Sequence, residues 1–173
     1  MLIRSATSAD WPAILPFFSA IVEDGETYAY PLGLSSEEAE ALWMGQHRVV
    51  VAEQDDEVLG SATMGSNRPG RGSHVATASF MVSGAARGRG VGRALGEHML
   101  AWAEGAGFRA VQFNAVVETN TAAVHLWRSL GFTEIGTVPE AFDSRTHGLV
   151  GLHVMHRYLP ASFTDQGSGN RIP

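Results

Sequence analysis

The chain has 173 residues, no cysteine and a formal net charge of −6. This length predicts one domain whose core needs no disulfide, and the missing thiols exclude a cysteine nucleophile and a cysteine-ligated metal. The acidic balance argues against a nucleic-acid partner. The first residues lack the apolar core of a signal peptide, and no apolar stretch reaches membrane-spanning length. The sequence therefore predicts a cytoplasmic protein without a membrane partner.

A short strand and an amphipathic helix open the chain. Residues Leu2–Ser5 predict the strand, and either Ser8 or Asp10 is expected to cap the helix. Pro16 should kink or shorten this helix, because proline lacks the N–H that the helical ladder needs. The apolar residues that recur at helical spacing are Trp11, Ile14, Leu15, Phe18 and Val22.

A second helix and a hairpin follow. Ser35 and Glu38 have the spacing of a capping box, in which each side chain satisfies a backbone N–H at the start of a helix. The runs His47–Glu53 and Val58–Met64 flank the polar segment Gln54–Glu57. This pattern predicts two antiparallel strands joined by a tight turn.

The second half of the chain alternates strands and helices and ends in a polar tail. Ala110–Val116 is almost continuously apolar, which predicts a strand buried on both faces. Residues 1–160 are expected to form the single domain, and residues 161–173 a disordered tail. The other predicted elements are a loop over Asn67–Ser73, strands over Val75–Val82, Phe132–Val138 and Leu149–Tyr158, a helix from Val91 to about Gly105, and a helix capped by Thr119 or Asn120.

The segment Arg87–Gly92, Arg-Gly-Arg-Gly-Val-Gly, joins a predicted strand to a predicted helix. Backbone N–H groups without neighbouring Cβ atoms, at the positive end of a helix dipole, are suited to a pyrophosphate. The dinucleotide fingerprint fails, since its third glycine position holds Arg93 in one frame and Leu95 in the other. A Walker loop is excluded because the chain has no lysine. The alternative is a flexible surface loop.

Two motifs together resemble the GNAT acyltransferase superfamily: Arg87-x-x-Gly90-x-Gly92, and Asn120 followed by Leu126-Trp127-x-x-Leu130-Gly131-Phe132. The resemblance spans Ile3 to Tyr158. It implies an α+β fold with a mixed, mostly antiparallel sheet that is splayed between its fourth and fifth strands and flanked by helices. It also implies transfer of an acetyl group from acetyl-CoA, as cosubstrate, to an amine.

Three further segments resemble a narrower branch of that superfamily. They are Phe113–Val117, Gly136–Phe142 and Asp24–Pro31. The branch includes the yeast acetyltransferase that detoxifies azetidine-2-carboxylate, and the last segment also resembles phosphinothricin-type acetyltransferases. The implied acceptor is a small-molecule amine, an amino acid or a toxic amino-acid analogue.

The resemblance also implies which residues bind the coenzyme. The end of the central strand would pair with the pantetheine amides, as an added strand does, and a backbone N–H near Met81 or Val82 would donate to the thioester carbonyl. Asn120 would contact the coenzyme in addition to capping a helix. The implied pantetheine residues are Phe80, Met81 and Val82, and the implied pyrophosphate residues are Arg87, Gly88, Arg89, Gly90, Val91, Gly92 and Arg93.

The acceptor side is less well marked. The resemblance assigns Asn114 to the acceptor amine, whereas an amide satisfied by neighbouring backbone is the structural alternative. Tyr28 and Tyr30 lie in a loop that could close over a compact ligand. The carboxylates considered for proton removal are Glu23, Glu26 and Glu118.

Trp127 stands where many family members carry the tyrosine that protonates the leaving thiolate. An indole N–H is not a useful acid, so Trp127 is expected to be a core residue. His153 and His156 fall on opposite faces of a strand, so no metal site is predicted. A homodimer is possible. The alternative functions are a non-catalytic acyl-CoA sensor or interaction module, favoured by Trp127, and acetylation of protein N-termini.

Overall fold

Seven strands form one sheet in the computed structural model, which describes residues 1–46 and 48–160. The strands are β1 Leu2–Ser5, β2 Arg48–Gln54, β3 Glu57–Ser66, β4 Val75–Val82, β5 Ala110–Val117, β6 Thr133–Ser144 and β7 Gly148–Tyr158. Their order across the sheet is β1-β2-β3-β4-β5-β7-β6. The helices are α1 Trp11–Asp24, α2 Ser36–Met44, α3 Val91–Gly105 and α4 Thr121–Ser129.

The sheet opens between β4 and β5. These strands form its parallel pair, and their register contains just Val75 opposite Ala110 and Ala76 opposite Val111. Beyond Ala76, the edge of β4 that faces β5 carries no strand partner. We call the space beside Ala78–Val82 the wedge. The α+β fold with a splayed, mostly antiparallel sheet is therefore confirmed.

Helices cover the two faces of the sheet separately. On one face, α3 and α4 pack against alternate residues of β2 to β5, with Leu95, Met99 and Trp127 among the buried side chains. On the other face, α1 and α2 pack against β2 and β4 through a second cluster that includes Phe18 and Trp43. The face over β5 and β7 that lies beside α1 and α2 is left more open.

The predicted capping box and hairpin are confirmed. Ser35 and Glu38 form the expected capping box. The hairpin turns at Asp55 and Asp56, whose φ angles of 53° and 61° suit a two-residue turn of the twist that hairpins prefer. His47, which the hairpin prediction included, and residues 161–173 lie outside the described residues.

The start and length of α1 differ from the prediction. A short 3-10 turn, Ser8–Asp10, precedes α1. The N-cap residue of this turn is Thr7, whereas Ser8 was a predicted cap. Asp10 precedes α1 as expected, but its carboxylate accepts the N–H of Thr7 at 2.7 Å. Pro16 does not shorten the helix, which continues to Asp24. The apolar face of α1 is buried on the sheet, and this packing outweighs the one missing helical hydrogen bond.

Strand β5 is not buried on both faces, so that prediction is wrong. Asn114 and Ala115 are exposed, and the pairing with β7 is irregular between Phe113 and Val116. An apolar run in the sequence indicates that one face of a strand is buried, but it does not show whether a helix covers the other face. The last two strands are confirmed, although β6 extends to Ser144.

Asp10 should supply an acid-sensitive part of the stability. Its carboxylate accepts two hydrogen bonds from Arg4, at 2.7 and 3.0 Å, and these bonds lower its pKa to about 2. Because the folded pKa lies below the unfolded value of about 3.9, the contribution is present above about pH 4 and is lost as the pH falls towards about 2. We expect Asp10→Asn to cost about 2 kcal/mol near neutral pH. Urea denaturation at several pH values measures this.

The control is Asp56→Asn, which alters an exposed turn carboxylate. It should leave both the stability and its acid dependence nearly unchanged. If Asp10→Asn retains the wild-type loss of stability between about pH 4 and pH 2, the acid sensitivity belongs to other groups.

Candidate functional site

The glycine loop before α3 has the geometry of an anion cradle. Gly88 and Gly90 have φ angles of 76° and 79°, a region that favours glycine, and nothing lies within 4 Å of the position that a Cβ would take on either. Gly90 is the N-cap of α3, and the Ala94 N–H donates to its carbonyl at 3.0 Å. The N–H groups of Gly92 and Arg93 precede that first helical bond, so they are free to bind an anion.

The three predicted arginines differ in how they are held. Arg87 is exposed. Arg89 lies 4.0 Å from Glu57. Arg93 donates to Ser129 Oγ at 2.8 Å, which draws its guanidinium beside α4. The predicted pyrophosphate residues therefore lie together at the end of β4 where the wedge opens.

Alternation along β4 decides which backbone groups face the wedge. Odd-numbered residues bond towards β3: the Ser83 N–H donates to Leu59 O at 2.9 Å, and Val75 O accepts from Asn67 at 2.8 Å. Met81 shares this orientation, and its side chain is buried under α1 and α2. The prediction therefore needs correction at Met81, whose backbone is turned away from the wedge. The backbone groups of Val82, like those of Phe80, face it.

Tyr28 contacts the open edge of β4 directly. Its hydroxyl donates to Phe80 O at 2.7 Å and accepts the Phe80 N–H at 2.9 Å. Burial raises the pKa of Tyr28 well above its usual range, so the phenol keeps its proton. The ring stacks on Tyr30 with centroids 5.3 Å apart, and Tyr30 stacks on Phe18. The two tyrosines are thus a wall fixed to the core of the α1 side, not the movable cover that the sequence suggested.

The segment after α1 is tied to the turn between β6 and β7. Glu26 accepts hydrogen bonds from Ser144 Oγ at 2.6 Å and from the Thr146 N–H at 2.9 Å. The bond from Ser144 is the main cause that lowers the pKa of Glu26. Arg145 adds a bond from its N–H to Gly25 O and one from its guanidinium to Glu23 O. We call these contacts the clamp.

A cavity of about 770 Å³ lies between the clamp and the tyrosine wall. Its charged lining consists of two carboxylates, Glu23 and Asp143, and one guanidinium, Arg145. The remaining lining residues are Val22, Gly25, Tyr28, Ala29, Tyr30, Leu32, Ala141 and Phe142. Tyr28 lines the cavity, and its hydroxyl bonds Phe80 on β4, so this residue lies between the cavity and the wedge.

The three carboxylates considered for proton removal differ in their hydrogen-bond partners and in whether they line the cavity. Glu26 is engaged in the clamp, and Glu118 accepts the N–H of Gly151. Glu23 lines the cavity, and its hydrogen bond to Arg145 uses the backbone carbonyl rather than the carboxylate. Sequence reasoning missed Asp143 and Arg145, because only the clamp brings the β6–β7 turn to the end of α1.

Asn114 is exposed on the face of β5 opposite α3 and α4. Its Oδ1 accepts from Gln112 at 2.8 Å, and its Nδ2 donates to Asn67 Oδ1 at 2.6 Å. The amide is therefore satisfied by side chains, not by the backbone that the structural alternative assumed. Asn120 caps α4 by accepting the Ala123 N–H, as expected for its capping role.

Trp127 belongs to the core between α4 and the sheet. It is 6% exposed, and its ring centroid lies 4.7 Å from that of Phe80 and 4.8 Å from that of Phe113. This position agrees with the core role expected for it. Because Phe80 belongs to β4 and Phe113 to β5, the indole packs on side chains of both strands, and these two rings also contact each other at a centroid distance of 5.8 Å.

The described residues include neither a membrane-crossing helix nor a cluster of metal ligands. None of the helices there is long and apolar enough to cross a bilayer. In residues 1–46 and 48–160, no group of three His, Asp or Glu side chains is arranged to hold a metal ion. His153 lies within 2.7 Å of Thr137 Oγ1 and near Glu134, a contact on the outer side of α4.

Known proteins provide an independent comparison. The model of the acetyltransferase (GNAT) family matches residues 15–132. The chain is 28% identical over 163 residues to N-acetyltransferase aca1 of Schizosaccharomyces pombe, covering 84% of this chain and 78% of that protein. It is similar to the structure of a GCN5-related N-acetyltransferase from Kribbella flavida, with 64% identity, a TM-score of 0.87 and coverage of 91% and 97%. A ribosomal-protein-alanine N-acetyltransferase from Brucella melitensis is 29% identical, with a TM-score of 0.82 and coverage of 92% and 100%.

The loop arginines provide a direct test of the anion cradle. We expect Arg87→Gln and Arg93→Gln each to weaken coenzyme A binding about three- to tenfold, because each guanidinium can pair with phosphate. The loss should shrink as salt is raised. Titration calorimetry measures the affinity, and thermal melting shows whether Arg93→Gln alters the fold.

Arg71→Gln is the matched control, since Arg71 is exposed at the opposite end of β4. It should leave the affinity unchanged. Equal, small effects of all three substitutions would show that only the overall charge matters and that the loop is not the phosphate site.

Proposed function

The chain belongs to the acetyltransferase (GNAT) family and is an acetyl-CoA-dependent N-acetyltransferase, and from this premise we propose that its acceptor is a small amine that also carries a carboxylate. An amino acid or amino-acid analogue has this chemistry. The open cradle at Gly88 and Gly90 supports a pyrophosphate site, and the edge of β4 at Val82, which has no strand partner, supports a pantetheine site. At Phe80 the same edge is already bonded by the Tyr28 hydroxyl, so the expected pantetheine pairing is not open there. The bound coenzyme would supply an acetyl group activated as a thioester.

The observation that carries the proposal is the position of Tyr28 between the cavity and the wedge. An acceptor in the cavity would lie beside the edge of β4 where the acyl group is expected. The volume of about 770 Å³ is within the usual range for small-molecule sites. The clamp closes the end of the cavity near Glu26, which favours a compact acceptor over an extended peptide.

The charges of the lining support a bipolar ligand. Arg145 provides the guanidinium, and a carboxylate is the group that a guanidinium binds best. Glu23 and Asp143 provide acceptors for an ammonium group and are candidates for proton removal. An amino acid matches both signs, whereas a simple alkylamine offers no anionic group to the Arg145 guanidinium, which in this structure donates to the Glu23 carbonyl.

The proposed chemistry is direct attack by the neutral amine, with catalysis by positioning and proton removal. Glu23 or Asp143 would take the amine proton. Asn114 is not among the residues that line the cavity, so in this proposal it would orient the amine from β5, at the wedge side of the acceptor. The backbone of Val82 would hold the coenzyme arm in the wedge. Trp127 cannot act as an acid, and the buried Tyr28 keeps its proton. The proposed proton source is therefore bulk solvent, since a thiol of pKa about 8.5 is mostly protonated near neutral pH.

Acetylation of protein N-termini is the second candidate. The 29% identity to a ribosomal-protein-alanine N-acetyltransferase is the observation that favours it. An N-terminal residue would place only its amine and first side chain in the cavity. The possible homodimer and the cytoplasmic location remain predictions.

Acceptor pairs that differ only in the carboxylate test the proposal. We expect free amino acids and their cyclic analogues to be acetylated with kcat/KM at least tenfold above that of the matching amides, about 1.4 kcal/mol. In Arg145→Gln this preference should nearly vanish, while Arg71→Gln should keep it. Steady-state kinetics with saturating acetyl-CoA measures the ratio.

Two results would contradict the carboxylate assignment. One is equal turnover of acids and amides by the unaltered protein. The other is turnover of peptides with free N-termini well above that of any free amino acid, which would favour the second candidate.

Asn114 is expected to orient the acceptor and not the coenzyme. Asn114→Ala should raise the amine KM or lower kcat about tenfold and leave acetyl-CoA affinity nearly unchanged. Asn120→Ala should instead weaken acetyl-CoA binding. Kinetics with each substrate varied, together with calorimetry for the coenzyme, separates the two effects.

Asn67→Ala is the matched control, because it removes the partner of the Asn114 amide without removing the amide. If Asn67→Ala and Asn114→Ala have the same effect, Asn114 acts only by holding Asn67 in place. If Asn114→Ala weakens acetyl-CoA alone, the acceptor assignment is wrong.

A further inference from the structure

The hydroxyl of Tyr28 occupies a position that strand pairing normally reserves for a second strand. The N–H and C=O of Phe80 point away from β3 and into the wedge, and both are bonded to this one oxygen atom. On the same edge, Val82 lies two residues further on, about 7 Å along the strand. A coenzyme arm that pairs with Val82 would therefore bring its acyl end towards Tyr28.

The position of the cavity also indicates that the acyl group lies near the Tyr28 hydroxyl. This step rests on the proposed function, in which the acceptor occupies the cavity. Transfer requires the amine and the acyl carbon to meet, so the acyl group would lie on the side of the wedge nearest the cavity. Tyr28 is the residue that both lines the cavity and bonds the edge of β4. The acyl carbonyl must therefore come close to the Tyr28 hydroxyl.

We infer that the Tyr28 hydroxyl binds the acyl carbonyl, as a side-chain hydrogen-bond donor beside the backbone N–H of Phe80. A hydroxyl proton rotates freely about the C–O bond, so it can exchange Phe80 O for the acyl oxygen as acceptor. No proton is transferred in this step. Donors fixed beside a reacting carbonyl favour the transition state, where negative charge grows on its oxygen.

The surroundings of Tyr28 suit a fixed donor. Its ring is held by Tyr30 on one side and by an edge contact with Trp43, at centroid distances of 5.3 and 6.2 Å. The oxygen atom of the hydroxyl is therefore already in place when the acyl group arrives, and only its proton turns to a new acceptor. Because this donor comes from the segment between α1 and α2, the glycine-loop motif gives no sign of it.

Tyr28→Phe and Tyr30→Phe form a matched pair of variants. Each removes one phenolic oxygen from the same stacked pair of rings, but only the Tyr28 oxygen bonds β4. We expect Tyr28→Phe to lower kcat about a hundredfold, the scale for losing one such donor. Tyr30→Phe changes another residue of the cavity lining, so its readout is the coenzyme: we expect it to leave the acetyl-CoA affinity and the acetyl carbonyl stretch unchanged, whatever it does to the amine KM.

Binding without turnover provides a second readout. Calorimetry should show that Tyr28→Phe weakens acetyl-CoA about three- to tenfold, as for one hydrogen bond, while the affinity for coenzyme A without an acyl group is unchanged. The infrared stretch of a carbon-13-labelled acetyl carbonyl should move to higher frequency in Tyr28→Phe, because the carbonyl loses a donor. These readouts do not depend on the identity of the acceptor, so they can succeed even if the proposed acceptor class is wrong.

Several outcomes would overturn the inference. Unchanged kcat and an unchanged carbonyl stretch in Tyr28→Phe would show that the hydroxyl only closes the edge of β4. Tighter acetyl-CoA binding in that variant would make the hydroxyl a competitor of the acyl group. Equal losses of acetyl-CoA affinity in both variants, or failure of Tyr28→Phe alone to fold, would assign the tyrosine to the structural wall.

Discussion

The early parting of β4 from β5 is the constraint on which the site depends. A backbone edge left open inside a sheet must find other hydrogen-bond partners, since an unmade bond costs about 1–3 kcal/mol. This chain fills the gap with side chains rather than a strand. Trp127 packs between Phe80 and Phe113 on one face, and the Tyr28 hydroxyl bonds the open edge from the other. The wedge is thereby held open without leaving Phe80 unsatisfied.

The clamp extends the same arrangement to the far edge of the sheet. β6 is the last strand in the order, yet its turn reaches the end of α1 through Glu26 and Arg145. The buried Ser144 hydroxyl and the Thr146 N–H each donate to one oxygen of the Glu26 carboxylate, so two donors fix this contact. The cavity is thus enclosed by two segments far apart in sequence. Substitutions in the turn between β6 and β7 would therefore alter the lining of the cavity without altering the predicted coenzyme cradle at Gly88 and Gly90.

Features determined by neighbouring residues could be predicted from the sequence. The capping box at Ser35, the turn at Asp55 and the glycine cradle each depend on a few consecutive residues, and their positions agree with the structure. The splay followed from family resemblance. What could not be predicted depends on contacts between distant segments: the exposure of Asn114 on β5, the engagement of Glu26, and the presence of Arg145 in the cavity.

The replacement of the family's tyrosine by Trp127 has a physical consequence for the whole site. A tyrosine on α4 would provide an acid on the coenzyme side of the wedge, whereas the indole fills that space with apolar surface. The phenol that this chain places at the wedge, Tyr28, approaches from the acceptor side and keeps its proton because it is buried. In the mechanism that we propose, the chain therefore stabilises the acyl group by hydrogen bonding, and the thiolate takes its proton from solvent. This division suits a thiol leaving group, whose pKa of about 8.5 makes its protonation easy near neutral pH.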